Sequence, residues 1–171
     1  MNTPLNQLAA RAATLLERTI DVLTGAAVAV MVVAISYQVF GRYVLDRSPS
    51  WSEELSRYLM VWLTMLGAAA ALRGGGHIAV TTLIDMLSPP ARRAALALRD
   101  AALVGTCGVL TWWGIGFAQL NHTQESAAMD IPMSIPYAAL PVGAALITLL
   151  VLLARLAGSP AAVHGEETEA F

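Results

Sequence analysis

The residues of this chain whose types and spacing could do chemistry lie close together: Gln38 and Arg42, then Trp51, Glu53, Glu54, Arg57, Tyr58 and Trp62. On a helix, Glu53 and Arg57 stand four apart and Glu54 and Arg57 three apart, so one guanidinium can reach two carboxylates on one face. Such a set could move protons, clamp two helices or present a recognition surface. No nucleophile, base and orienting group come together anywhere in the chain, so it carries no hydrolase site and reads as a non-enzyme. Two readings of the cluster fit. In one, Trp and Tyr sit at headgroup depth and the charges are solvated or snorkel. In the other, the polar face docks against another protein, since an acidic pair with arginine and two aromatics exceeds what anchoring requires. Ser50-Trp51-Ser52-Glu53 fits the capping box and predicts a helix start just after Pro49.

Charges are costly in that position, because the rest of the chain is built for lipid. Of 171 residues, 57% are hydrophobic and 13% charged, and the mean hydropathy is +0.62. Soluble domains carry roughly 25% charged residues, so the composition implies an integral membrane protein. All ten basic residues are arginine and the net charge is −2, which provides no basic field for nucleic acid. The single cysteine, Cys107, falls within an apolar run, so neither a disulfide framework nor a cysteine-based metal site is expected.

A bilayer core of about 30 Å needs roughly 20 residues of apolar helix. Four runs answer, predicting spans over about 20–40, 55–73, 101–120 and 135–154. The second is short by itself, Tyr58 to Leu72, and needs extension backward through Trp51. None of the runs alternates as a barrel strand does. The expected fold is therefore all-α, with four transmembrane helices over residues 19–156, preceded by a segment 1–18 and followed by a mobile tail 157–171. Arg11 and Arg18 before the first run resemble a signal peptide. However, 19 uncharged residues from Val22 to Phe40 exceed a usual signal core and lead into no clear cleavage site, so the helix is expected to be retained.

Arginine counting sets the orientation. With the N-terminus inside, Arg11, Arg18, Arg73, Arg92, Arg93, Arg99 and Arg155 are cytoplasmic and only Arg42, Arg47 and Arg57 lie outside, seven against three. N-in and C-in is expected. Between the second and third spans, Val80, Leu83, Ile84 and Leu87 recur at helical spacing, predicting an interfacial helix over His77 to Leu87. Ser88 is placed to cap the next helix, with Pro89 at its first position.

The remaining polar candidates carry less. Arg42 either snorkels or pairs with Glu53 or Glu54 across the first two helices. Arg73 and His77 bracket three glycines that end a helix and turn the chain, and no phosphate-binding pattern accompanies them. All three histidines lie outside the spans, which argues against an intramembrane haem. No span core holds an acid or base of the kind that couples ions to transport. No cofactor or metal is expected. Gly105, Gly108, Gly114 and Gly116 read as positions for helix packing within the chain itself. Pro132 and Pro136, ahead of Tyr137, exclude a regular helix before the last span, whereas Pro141 falls in its first turns.

Taken in order, Arg42-Tyr43, Trp51-Ser52-Glu53-Glu54 with Arg57-Tyr58 and Trp62, Leu66-Gly67, Arg73 with His77-Ile78, and Ile131-Pro132 through Pro141-Val142-Gly143 resemble the DctQ-type small membrane subunit of tripartite ATP-independent periplasmic (TRAP) transporters. The likeness covers roughly residues 15 to 156. It implies a bacterial or archaeal inner-membrane complex in which a periplasmic binding protein delivers an organic acid to a two-part membrane unit. The large subunit is then the sodium-coupled elevator. The small one is a stationary, non-catalytic scaffold paired with it as a heterodimer and transiently meeting the binding protein. Arg57, with the Trp51–Trp62 block and the Ile131–Tyr137 loop, is the expected contact region. Two rivals fit less well: a self-sufficient small transporter or channel, and a membrane anchor for a redox enzyme.

Overall fold

The computed structural model describes residues 4–47, 49–71 and 87–156. Its elements are α1 (Pro4–Tyr43), α2 (Ser50–Ala71), α3 (Pro89–Leu120), the single turn α4 (Ser134–Tyr137) and α5 (Ala139–Leu156). Among the described residues the only β-type pairing is one isolated antiparallel bridge, Glu125 to Pro132. The regular elements of the described residues are thus all helical, as the uninterrupted Ala-, Leu- and Val-rich runs dictate.

Three helical stretches are long and apolar enough to cross a membrane: Asn6–Tyr43, Pro89–Leu120 and Ser134–Leu156. The expectation of four is therefore met for three. α2 does extend backward to Ser50, taking in Glu53, Glu54 and Arg57, and its described residues end at Ala71, short of the expected 55–73. The interfacial helix expected over His77–Leu87 lies, except for Leu87, outside the described residues, as does the tail 157–171. α1 begins at Pro4 and runs unbroken for 40 residues, so the segment before the first span belongs to the same helix.

Helix ends follow from local chemistry. After α1 the chain turns through Asp46, which adopts a left-handed φ of 50°, and the Arg47 amide donates to the Gly41 carbonyl at 2.9 Å. Ser88 holds the N-cap position of α3 with extended backbone, as expected, but its side chain makes no capping bond. Pro90 removes one of the amides that a capping serine would satisfy. Pro136 sits inside the helical turn α4, contrary to the expectation of irregular chain there. As the third residue of that turn, its missing N–H would have had no intrahelical acceptor.

Among the described helices, α5 touches every other one, whereas α3 packs only on α4 and α5. The centre of the bundle is formed by Ile20, Leu66, Ala69 and Leu150, with Leu16, Ala70, Leu146 and Ile147 against them. Two glycines set the spacing. A Cβ on Gly143 would lie 2.6 Å from that of Met65, and one on Gly114 would lie 2.9 Å from Cδ of Pro141. α5 therefore meets α2 and α3 at backbone distance, as small residues permit in helix packing. Outer faces remain open: within the apolar windows of α1 and α3, only 11% and 17% of residues are buried.

Candidate functional site

The α1–α2 turn and the loop from 121 to 133 lie at one end of the bundle, and the polar block gathers there. Glu54 is the residue that joins them. Its Oε1 accepts the Tyr58 hydroxyl at 2.5 Å, and its Oε2 accepts the Ala128 backbone amide at 2.9 Å. Met133 Sδ lies 3.2 Å from the same hydroxyl. One carboxylate at the head of α2 thus fixes a loop more than seventy residues further on. The bond from Tyr58, followed by those from the loop, holds the Glu54 carboxyl below the usual carboxylate range against the opposing effect of partial burial.

The loop itself is hairpin-like. The Ser126 amide donates to the Ile131 carbonyl at 2.9 Å and the Met133 amide to the Gln124 carbonyl at 2.8 Å. The Ile131 amide returns to Ser126 Oγ at 3.4 Å. Asp130 makes the reversal with a φ of 52°, a left-handed value that Asp tolerates better than most residues. Pro132 pairs in the bridge with Glu125, Pro136 is buried, and Tyr137 packs on Phe117 with ring centroids 4.8 Å apart.

Several expectations are revised. Arg57 does not serve two carboxylates: it pairs with Glu53 alone at 3.2 Å, and both side chains are exposed. Glu54 is occupied by Tyr58 and the loop, so Arg42, which is exposed, finds no carboxylate on α2. The capping box does not form, because Ser50 is already the first residue of α2. Instead the completely buried Ser52 donates from Oγ to the Pro49 carbonyl at 2.8 Å. Trp51 stacks on Tyr37 of α1, with centroids 5.8 Å apart. Gln38 and Trp62 are half-buried, and Arg73 and His77 lie outside the described residues.

A second polar contact, at the opposite end, was not expected. Asp100 of α3 is 6% exposed and accepts from Arg99 at 2.8 Å and from Arg155 of α5. Arg155 also donates to the Leu96 carbonyl at 3.1 Å. The signal was available: an acid starting one span and a base ending its antiparallel neighbour must lie at the same level. Among the described residues, no group of three or more His, Cys, Asp or Glu is placed to hold a metal.

Residues 31–159 match the family model described as "Tripartite ATP-independent periplasmic transporters, DctQ component". The chain belongs to the DctQ family. This DctQ chain is similar to the sialic acid TRAP transporter small permease protein SiaQ of Vibrio cholerae, with 28% identity over 123 residues, 72% of this chain and 71% of SiaQ. It is 31% identical over 99 residues to the C4-dicarboxylate TRAP transporter small permease protein DctQ of Rhodobacter capsulatus, covering 57% of this chain and 44% of that one. It is also 27% identical over 126 residues to the isethionate TRAP transporter permease protein DctMQ of Oleidesulfovibrio alaskensis, covering 71% of this chain but only 20% of that protein. As a DctQ component, the chain is a TRAP small permease subunit, and its three apolar helices make it a multi-pass membrane protein.

Proposed function

We propose that this DctQ subunit is a stationary, non-catalytic frame for a sodium-coupled large permease subunit that takes up an organic acid delivered by a periplasmic binding protein. The observation that carries the reading is where the polar contacts fall. Glu54 with Tyr58 and Ala128 closes one end, Asp100 with Arg155 closes the other, and between them α5 is held by apolar contacts and two glycines. A bundle fastened at both ends and apolar in between suits a frame better than a moving part. The length of the DctMQ relative, five times its matched portion, supports a small permease working beside a larger chain.

In this reading α2 crosses the bilayer as a fourth helix, sheltered by α1 and α5, with Glu54 at its outer edge. Both termini are cytoplasmic in the inner membrane of a bacterial or archaeal cell, which places the Trp51–Trp62 block and the 121–133 loop outside. Arg57, spent on an exposed pair, faces a partner there. Coexpression with the large permease subunit tests this. Arg57→Ala should lower the amount of copurified large subunit or the uptake rate while this chain still accumulates; unchanged copurification and uptake would remove the partner role from Arg57.

A further inference from the structure

We infer that the outward face of α3 centred on Trp112 is where a membrane helix of the large permease subunit packs, an inference that rests on the function proposed above. Trp112 and Trp113 are 78% and 73% exposed, among the most open large side chains in the protein. Their depth is unusual. Trp112 stands twelve residues after Asp100 and eight before Leu120, about 18 Å and 12 Å along the helix, so it falls near the middle of a bilayer core of about 30 Å. Tryptophan at a lipid-facing surface gathers instead at the headgroup boundary, where its N–H meets water.

Reaching that boundary is not open to these side chains. Helical side chains lean toward the N-terminus, so both indoles point from the Leu120 end toward the midplane. Among the described residues no group accepts from either indole N–H. In hydrocarbon an unpaired N–H is costly, and lipid tails offer no acceptor. An acceptor on a neighbouring protein helix does.

The relief of the same face agrees. Gly108 and Gly116 stand one turn either side of Trp112 and Gly105 two turns before it, opposite the buried Asp100, Cys107, Gly114 and Ala118. A Cβ on Gly105, Gly108 or Gly116 would meet nothing within 4 Å, so these glycines do not serve packing inside this chain, in contrast to Gly114. A knob between notches accepts a helix at close range. Since α3 touches only α4 and α5, no other described helix covers it. The occupant is the large subunit because the DctMQ relative, of which this chain matches one fifth, supplies a larger partner of the same transporter type.

The test uses the full chain coexpressed with the large permease subunit, with the recovered large subunit quantified after solubilisation. Gly108→Leu, by filling a notch, and Trp112→Leu, by removing a buried aromatic anchor, should each lower it about tenfold. The thermal midpoint of the isolated chain should stay put, because a Cβ on Gly108 meets no described atom within 4 Å and Trp112 is 78% exposed. Gly25→Leu, equally unhindered on α1, should leave recovery unchanged. Full recovery with both α3 variants, or an equal loss with Gly25→Leu, would overturn the assignment. So would a chain that is dimeric alone and becomes monomeric with Gly108→Leu, since the occupant is then a second copy. If the wild-type chain recovers no large subunit at all, the functional reading fails and this inference with it.

Discussion

At one end of the bundle a carboxylate reaches from a helix to a loop; at the other a carboxylate joins two helices. Glu54 is half-buried and takes its bonds from a phenol and a backbone amide, with the exposed Glu53–Arg57 pair beside it. Asp100 is buried and takes its bonds from two guanidinium groups, one from its own helix and one from α5. The first arrangement fastens a loop to the head of α2 and so shapes the surface at that end. The second holds the bundle, because among the described helices α3 touches only α4 and α5. Sequence alone invited the opposite weighting, since the conspicuous charges are those near Trp51.

The contrast can be broken at its strong side first. Arg155→Ala should destabilise the solubilised chain by about 2–3 kcal/mol, since charge-assisted bonds to a buried carboxylate and to the Leu96 carbonyl are both lost. A calorimetric or fluorescence melt reads this. Next, Gly143→Ala forces a Cβ against Met65 and should cost about 1–3 kcal/mol by overpacking; an unshifted melt would mean that α2 and α5 are less tightly apposed than described.

At the opposite pole of the contrast, Glu54→Gln should leave the melt nearly in place but accelerate hydrogen exchange at the Ala128 amide. Acid should do the same. Because folding lowers the Glu54 pKa, its contribution is complete above the ordinary carboxylate pKa of about 4.3 and is lost as pH falls through the lower folded value. The Ala128 amide should therefore lose protection on acidification in the wild type and not in Glu54→Gln. Smallest of all, Arg57→Ala should change stability by less than about 0.5 kcal/mol, as exposed pairs do. Any loss of copurified partner with that variant then reports contact rather than unfolding.

Much of the fold was legible in the sequence because bilayer thickness and helix rise fix a span's length. The runs around Val22–Phe40, Ala101–Leu120 and Ile135–Leu153 follow from that arithmetic, as does the backward extension of α2. The charges that make α2 of interest, Glu53, Glu54 and Arg57, lie within about two turns of its start. Partner choice within the cluster was not legible. Helical spacing allowed Arg57 to reach either carboxylate, and only the folded loop, brought back by Ser126 and Asp130, takes Glu54 away. The Asp100–Arg155 contact was legible only by comparing the levels of two antiparallel spans, an acid starting one and a base ending the other, and not from spacing within one helix. The serine bond at the start of α2 comes from Ser52 rather than Ser50 because the helix begins one residue earlier than the capping pattern implies, with Ser50 already inside it.

The central claim is that this subunit frames transport without performing it. Reconstitution in liposomes tests it directly, comparing organic-acid uptake with this chain alone and with the chain, the large permease subunit and the binding protein together under a sodium gradient. The account predicts uptake equal to empty liposomes for the chain alone and sodium-dependent uptake for the complete set. Uptake above background by the chain alone would contradict it.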